Sequence, residues 1–111
     1  MKPIKEEITF EYLNKIDIRI CEVVAVERVE DSTKLYKLTI DTGSEKKTVI
    51  SALADRFTPE DLLDCCFPFV LNLVPRKIKG ILSEAMILLS EDESTGKYYF
   101  LDGSKPGSVV L

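Results

Sequence analysis

Early in the chain, "ITFEYLNKI" sets apolar residues at helical spacing just after Thr9. That pattern predicts a short helix with Thr9 as its N-cap. From Asp17 to Glu30, "DIRICEVVAVERVE", β-branched residues alternate with polar ones. A long first strand is expected there, bulged near Cys21 to Val24 where the alternation slips. The polar turn "DSTKL" follows. "LYKLTID", Leu35 to Asp41, reads as a second strand with Leu38 and Ile40 on one face. "TGSEK" contains Gly43 and reads as a hairpin turn, and "KTVISALA" as a third strand.

"TPEDLL" carries the clearest helix start. Thr58 can cap, Pro59 suits the first helical position, and Glu60 and Asp61 complement the helix dipole. "FPFVLNLV" reads as a fourth strand. Pro68 has no N–H for a ladder, so it is expected at that strand's start or on an edge. "PRKIKG" reads as a connection and "ILSEAMILLS" as a fifth strand. "EDESTGK" is turn-like, "KYYFLD" a short last strand, and "GSKPGSVVL" a turn-rich tail. A helix between the third and fourth strands is the order of an OB-fold. The expected class is therefore all-β, a five-stranded Greek-key barrel with short terminal extensions. Such barrels bind oligonucleotides on the strand 2–3 face and with the loops after strands 1 and 4. The first of those loops, "VEDSTKL", ends in Lys34. The second, "VPRKIKG", carries Arg76, Lys77 and Lys79.

Length and charge sharpen this picture. At 111 residues the chain is expected to be one domain over 1–111, with its core at about 10–111. Its net charge is −4. Non-specific polyanion binders are basic overall, so a nucleic-acid role must rest on a local patch. The acids gather elsewhere, at Glu91 to Glu93, at Glu60, Asp61 and Asp64, and at Glu27, Glu30 and Asp31. No apolar run approaches the ~20 residues of a membrane span. "MKPIKEEITF" has no apolar core of a secretion signal. A cytoplasmic protein without a membrane partner is expected.

Catalytic chemistry is poorly supplied. Histidine is absent, which removes the commonest general base and a common metal ligand. The three cysteines, Cys21, Cys65 and Cys66, are odd in number and include no CxxC. That opposes a disulfide framework and a structural zinc site. The glycines are too scattered for a phosphate-cradling loop. The expected protein is a binding module with no cofactor, no metal and no catalytic residues.

At "NLVPRKIKGILSEAM" the chain resembles the tRNA-binding domain family. The family's pattern there is N-L-x-P-[RK]-K-[LI]-[RK]-G-x-x-S-x-G-M. "IDIRICEVVAVERV", "DSTKLYKLTIDTG", "TVISALADRFTPEDLL" and "LDGSKPGSVV" are similar to its other segments, so the resemblance runs from about Phe10 to the C-terminus. Cys21, Ala52 and Ala85 stand where glycine is common in the family. The resemblance implies an OB-fold that binds tRNA and assists a methionyl-tRNA synthetase, in cis or in trans, without chemistry of its own. It also implies a homodimer through the terminal segments. The family includes CsaA-type export chaperones, so binding of unfolded peptides is the alternative. A module that binds only a protein partner is a third.

The candidate RNA-binding residues are Lys34, Asn72, Arg76, Lys77, Lys79, Ser83 and Met86. Arg76, Lys77 and Lys79 supply cations for phosphates. Strand alternation would turn Lys77 and Lys79 to one side and Arg76 and Ile78 to the other. Asn72 can read a base edge or pin a loop backbone. Ser83 can bond a phosphate or base, or simply fill a strand. Periodicity alone sets Met86 in the core, while an outward Met86 would offer a soft apolar contact to a base. Arg56 is a weaker candidate, and Arg19 is expected in a local ion pair with Asp17. Glu84, inside the basic stretch, is expected to disfavour a polyanion. Four tyrosines, five phenylalanines and no tryptophan give no obvious stacking platform. Recognition of folded RNA shape and backbone, with a few bases, fits better than single-strand coating.

Overall fold

The computed structural model describes residues 2–101 and 105–111. In chain order the elements are α1 (Phe10–Leu13), β1 (Ile18–Arg28), β2 (Tyr36–Asp41), β3 (Lys46–Ser51), α2 (Pro59–Leu62) and β4 (Cys66–Val70). They continue with β5 (Arg76–Ile78), β6 (Ile81–Ser83), β7 (Met86–Ile87), β8 (Leu89–Asp92) and β9 (Lys97–Phe100). Five strands form one antiparallel sheet in the order β3-β2-β1-β4-β7. β5 and β6 form one separate hairpin, and β8 and β9 another. The sheet rolls until Glu84, just before β7, reaches β3: its N–H donates to the Thr48 carbonyl at 2.8 Å. This nearly closed barrel, with α2 between β3 and β4, has the OB-fold arrangement.

β1 serves both sides of the barrel because it is bulged. Ile18 to Glu22 pair with β4, and Glu22 to Arg28 pair with β2. Val23 faces Ile40 and Ala25 faces Thr39, so Val24 is the extra residue. An added residue bends the strand and increases its twist. The bulge thus lies where the alternation slips in the sequence.

Alternation fills the interior. Val23, Tyr36, Leu38, Ile40, Val49 and Phe69 are fully buried. The Tyr36 hydroxyl donates to the Phe57 carbonyl at 2.7 Å, which satisfies a phenol inside the core. α2 starts at Thr58, whose N–H donates to the Asp61 carboxylate at 2.8 Å. Its single turn buries Leu62 completely in the core, a contribution of about 2 kcal/mol. Phe100 stacks between Phe57 and Phe67, with centroids 4.3 and 4.6 Å away, so the last hairpin also packs on the core. α1 is capped by Thr9, whose Oγ accepts from the Tyr12 N–H at 3.2 Å, but none of its residues is buried.

Three sequence expectations change. Pro68 lies inside β4, between β1 and β7, rather than at its start or on an edge. It is tolerated because its partner, Ile20, directs its N–H to Ser108 and its C=O to the Gly107 N–H, away from β4. On the other side Pro68 only accepts, from the Leu88 N–H at 3.0 Å. "ILSEAMILLS" is not one strand but contributes to β6, β7 and β8. "PRKIKG" is not an open connection but most of a hairpin. No helix among the described residues is long and apolar enough to cross a membrane.

Candidate nucleic-acid interface

The basic stretch forms an exposed β-hairpin. Arg76 faces Ser83, Lys77 faces Leu82, and Ile78 faces Ile81. Lys79 and Gly80 join the strands with φ of +52° and +79°. Two successive left-handed residues make the type I′ turn that suits the twist of a two-residue hairpin. Glycine or asparagine takes the first position easily. Lysine does so at a cost, so a charged side chain sits at the tip in a strained backbone.

Side chains weld this hairpin to the open edge of β3. Ser83 Oγ accepts from the Ile50 N–H at 3.0 Å. Glu84 Oε1 accepts from the Thr48 N–H at 2.9 Å, beside the backbone bond already described. Two donors on an edge strand are satisfied without a continuous ladder. Glu84 Oε1 is thereby held across the barrel seam, a bond its place in the basic stretch does not announce.

Between β3, the segment 71–75 and the hairpin lies a groove of about 320 Å³. Its walls include Val74, Arg76, Ile78 and Met86, and its polar lining Ser51 and Ser83. Arg76 and Ile78 line it while Lys77 does not, as alternation along β5 requires. Met86 is 54% exposed, with Ala85 and Ile87 buried on either side. The inward placement from periodicity is thus corrected. "ILSEAMILL" is apolar on both parities, and a one-residue change of phase reverses the faces. Arg76, Lys77 and Lys79 are exposed and make no ion pair among the described residues.

The remaining candidates lie apart from one another. Asn72 is a pin: Oδ1 accepts from the Asp17 N–H at 2.8 Å, and Nδ2 donates to the Lys15 carbonyl. Lys34 is exposed in the β1–β2 loop, where its carbonyl accepts from the Ala54 N–H at 2.9 Å, and it does not line the groove. Arg19 makes the expected bidentate pair with Asp17, at 2.9 and 3.1 Å. That hydrogen-bonded pairing holds its guanidinium above the usual arginine range. Arg56 lies 3.8 Å over the Tyr98 ring and donates to the Gly96 carbonyl, which fixes the last hairpin. Cys21 is fully buried, so its departure from glycine adds to the core, and burial pushes its thiol up to about 11. Ala85 does line the groove, where a glycine would leave more room. Sequence reading missed Ser51 and Val74. "NLV" resembled a strand end, yet Val74 is 89% exposed.

Known proteins share this fold. A family model described as "Putative tRNA binding domain" matches residues 18–109. The chain belongs to the tRNA-binding domain family. Over 110 residues it is 41% identical to the methionine–tRNA ligase of Cytophaga hutchinsonii, covering 99% of this chain and 15% of the ligase. The chain thus spans a small part of the curated relatives it matches. A crystal structure of a MetRS-related protein from Pyrococcus horikoshii superposes with a TM-score of 0.89 at 32% identity, covering 96% of this chain and all of that one. The CsaA chaperone protein of Picrophilus torridus superposes at 0.84 with 24% identity, covering 95% of this chain and all of that one, and bears on the fold alone. In this tRNA-binding domain the basic hairpin lies against β3, on the strand 2–3 side that OB-folds in general use for oligonucleotides.

Proposed function

We propose that this domain uses the β5–β6 hairpin and the adjoining groove to hold tRNA for a methionyl-tRNA synthetase, in cis or in trans. It raises tRNA affinity and carries out no chemistry itself. One observation carries the assignment of the site: Arg76, Lys77 and Lys79 project, unpaired among the described residues, from a hairpin bonded to β3. In a chain of net charge −4, that concentration of free cations favours phosphates at one place. Ser83 and Met86 adjoin them, Lys34 contributes from the neighbouring loop, and Asn72 keeps the segment 71–75 in register with β1.

The working form is a cytoplasmic homodimer. Ile4, Ile8 and Phe10 near one terminus and Val109, Val110 and Leu111 at the other are exposed apolar residues. Covering them against a second copy would double the basic surface available to one tRNA. The second reading, peptide binding, is favoured by the exposed apolar residues Leu73, Val74 and Met86. Parallel titrations with tRNA and with an unfolded peptide, with mass measured in solution, separate the two. Salt-sensitive tRNA binding by a dimer is expected. Peptide binding that ignores salt, with no tRNA binding, would overturn the proposal.

A further inference from the structure

The groove is distinct in character from the cations beside it, and this difference carries information. Phosphates alone need charge, not a walled apolar slot. Val74, Ile78 and Met86 are apolar, whereas Ser51 and Ser83 present hydroxyls. Ser83 Oγ is occupied by the Ile50 N–H, but Ser51 Oγ makes no hydrogen bond among the described residues and is not sealed from solvent. Arg76 is the charged residue of the lining, and no carboxylate joins it. The nearby acid, Glu84, is turned to the Thr48 amide.

We infer that this groove takes one unpaired nucleobase of the bound RNA, with Arg76 reaching the adjoining phosphate and Ser51 bonding the base edge. The inference rests on the tRNA reading and deepens it. Volume, polarity and charge support it together. At about 320 Å³ the groove stands at the low end of small-ligand pockets, which run from roughly 300 to 1,000 Å³. It suits a single flat ring better than several peptide residues. Apolar walls and a polarizable thioether can flank a ring face, and a planar guanidinium can stack on it or grip a phosphate. A base inside a duplex presents no free face, so the occupant must be splayed from the helix. An aliphatic peptide side chain would leave Arg76 and Ser51 without partners.

The test reads Met86 directly. Met86 is exposed in the free protein, and a methionine thioether is oxidised by peroxide to the sulfoxide. The intact chain is exposed to peroxide alone, with tRNA, with a single-stranded oligonucleotide, with a fully paired RNA duplex, and with an unfolded peptide. Met86 oxidation is expected to slow several-fold with tRNA and with the single strand, and not with bound duplex. Met86→Ser is expected to weaken tRNA binding about fivefold or more, leaving its salt slope unchanged. Lys77→Gln is expected to lower that slope by about 0.9. Protection by duplex equal to that by single strand would overturn the base-insertion proposal. So would Met86→Ser binding like the wild type while Lys77→Gln weakens, and the tRNA reading would then survive. Protection of Met86 by an unfolded peptide, with no RNA bound under any condition, would remove both.

Discussion

Lys79→Asn separates stability from binding at one residue. Lys79 has a φ of +52°, where a non-glycine residue costs roughly 1–2 kcal/mol. Asparagine adopts this conformation more readily and is favoured at the first position of a type I′ turn. The Lys79 side chain is exposed and makes no ion pair among the described residues, so its removal breaks no salt bridge. The gain should be about 0.5–1 kcal/mol. For a domain of this length that raises Tm by about 2–5 °C. The same change removes one phosphate partner and lowers the slope of log affinity against log salt by about 0.9. Thermal melts and tRNA titrations at several salt concentrations measure the two effects. A variant that melts no higher would refute the strain assignment. A variant with an unchanged salt slope would refute the placement of Lys79 against tRNA.

Other perturbations test the framework. Glu84→Ala leaves the Thr48 N–H without its side-chain acceptor and should cost about 1–2 kcal/mol in a denaturant melt, with faster Thr48 amide exchange; Glu84→Gln keeps an acceptor and should lose less. Cys21 holds its proton more tightly when folded, with a pKa of about 11 against an ordinary value of 9.0. Above pH 9 the unfolded chain loses that proton first, so stability should be intact below pH 9 and fall as pH rises toward 11. Cys21→Ala should remove that part of the slope in melts across this range. Arg56→Ala should cost about 1 kcal/mol through the lost Tyr98 stack and leave tRNA affinity unchanged.

Local features were legible in the sequence because local chemistry decides them. Thr9 and Thr58 announced helix starts, and the slipped alternation near Val24 announced the bulge. The helix between the third and fourth strands was enough to reach the OB-fold. The basic cluster was legible as a charge pattern, but its hairpin was not. Lys79 is a poor signal for a type I′ turn, so the turn had to be imposed by strand pairing and the bonds to β3. The seam bond of Glu84 was not legible because its partner, Thr48, is 36 positions away in sequence. Arg56 likewise reaches Tyr98 only after folding. The inward placement of Met86 from periodicity failed for a different reason: both faces of its segment are apolar, and the seating of Ala85 and Ile87 in the core chose between them. Asn72 offered two roles in sequence, and its two backbone bonds show the pinning one.

The central claim is that the hairpin cations grip tRNA. The most direct measurement compares tRNA affinity over a range of salt for the wild type and for the variant Arg76→Gln, Lys77→Gln, Lys79→Gln. Counterion release predicts a steep fall with salt for the wild type, and a slope shallower by about 2–3 for the variant. Equal slopes and equal affinities, with both proteins folded, would contradict it.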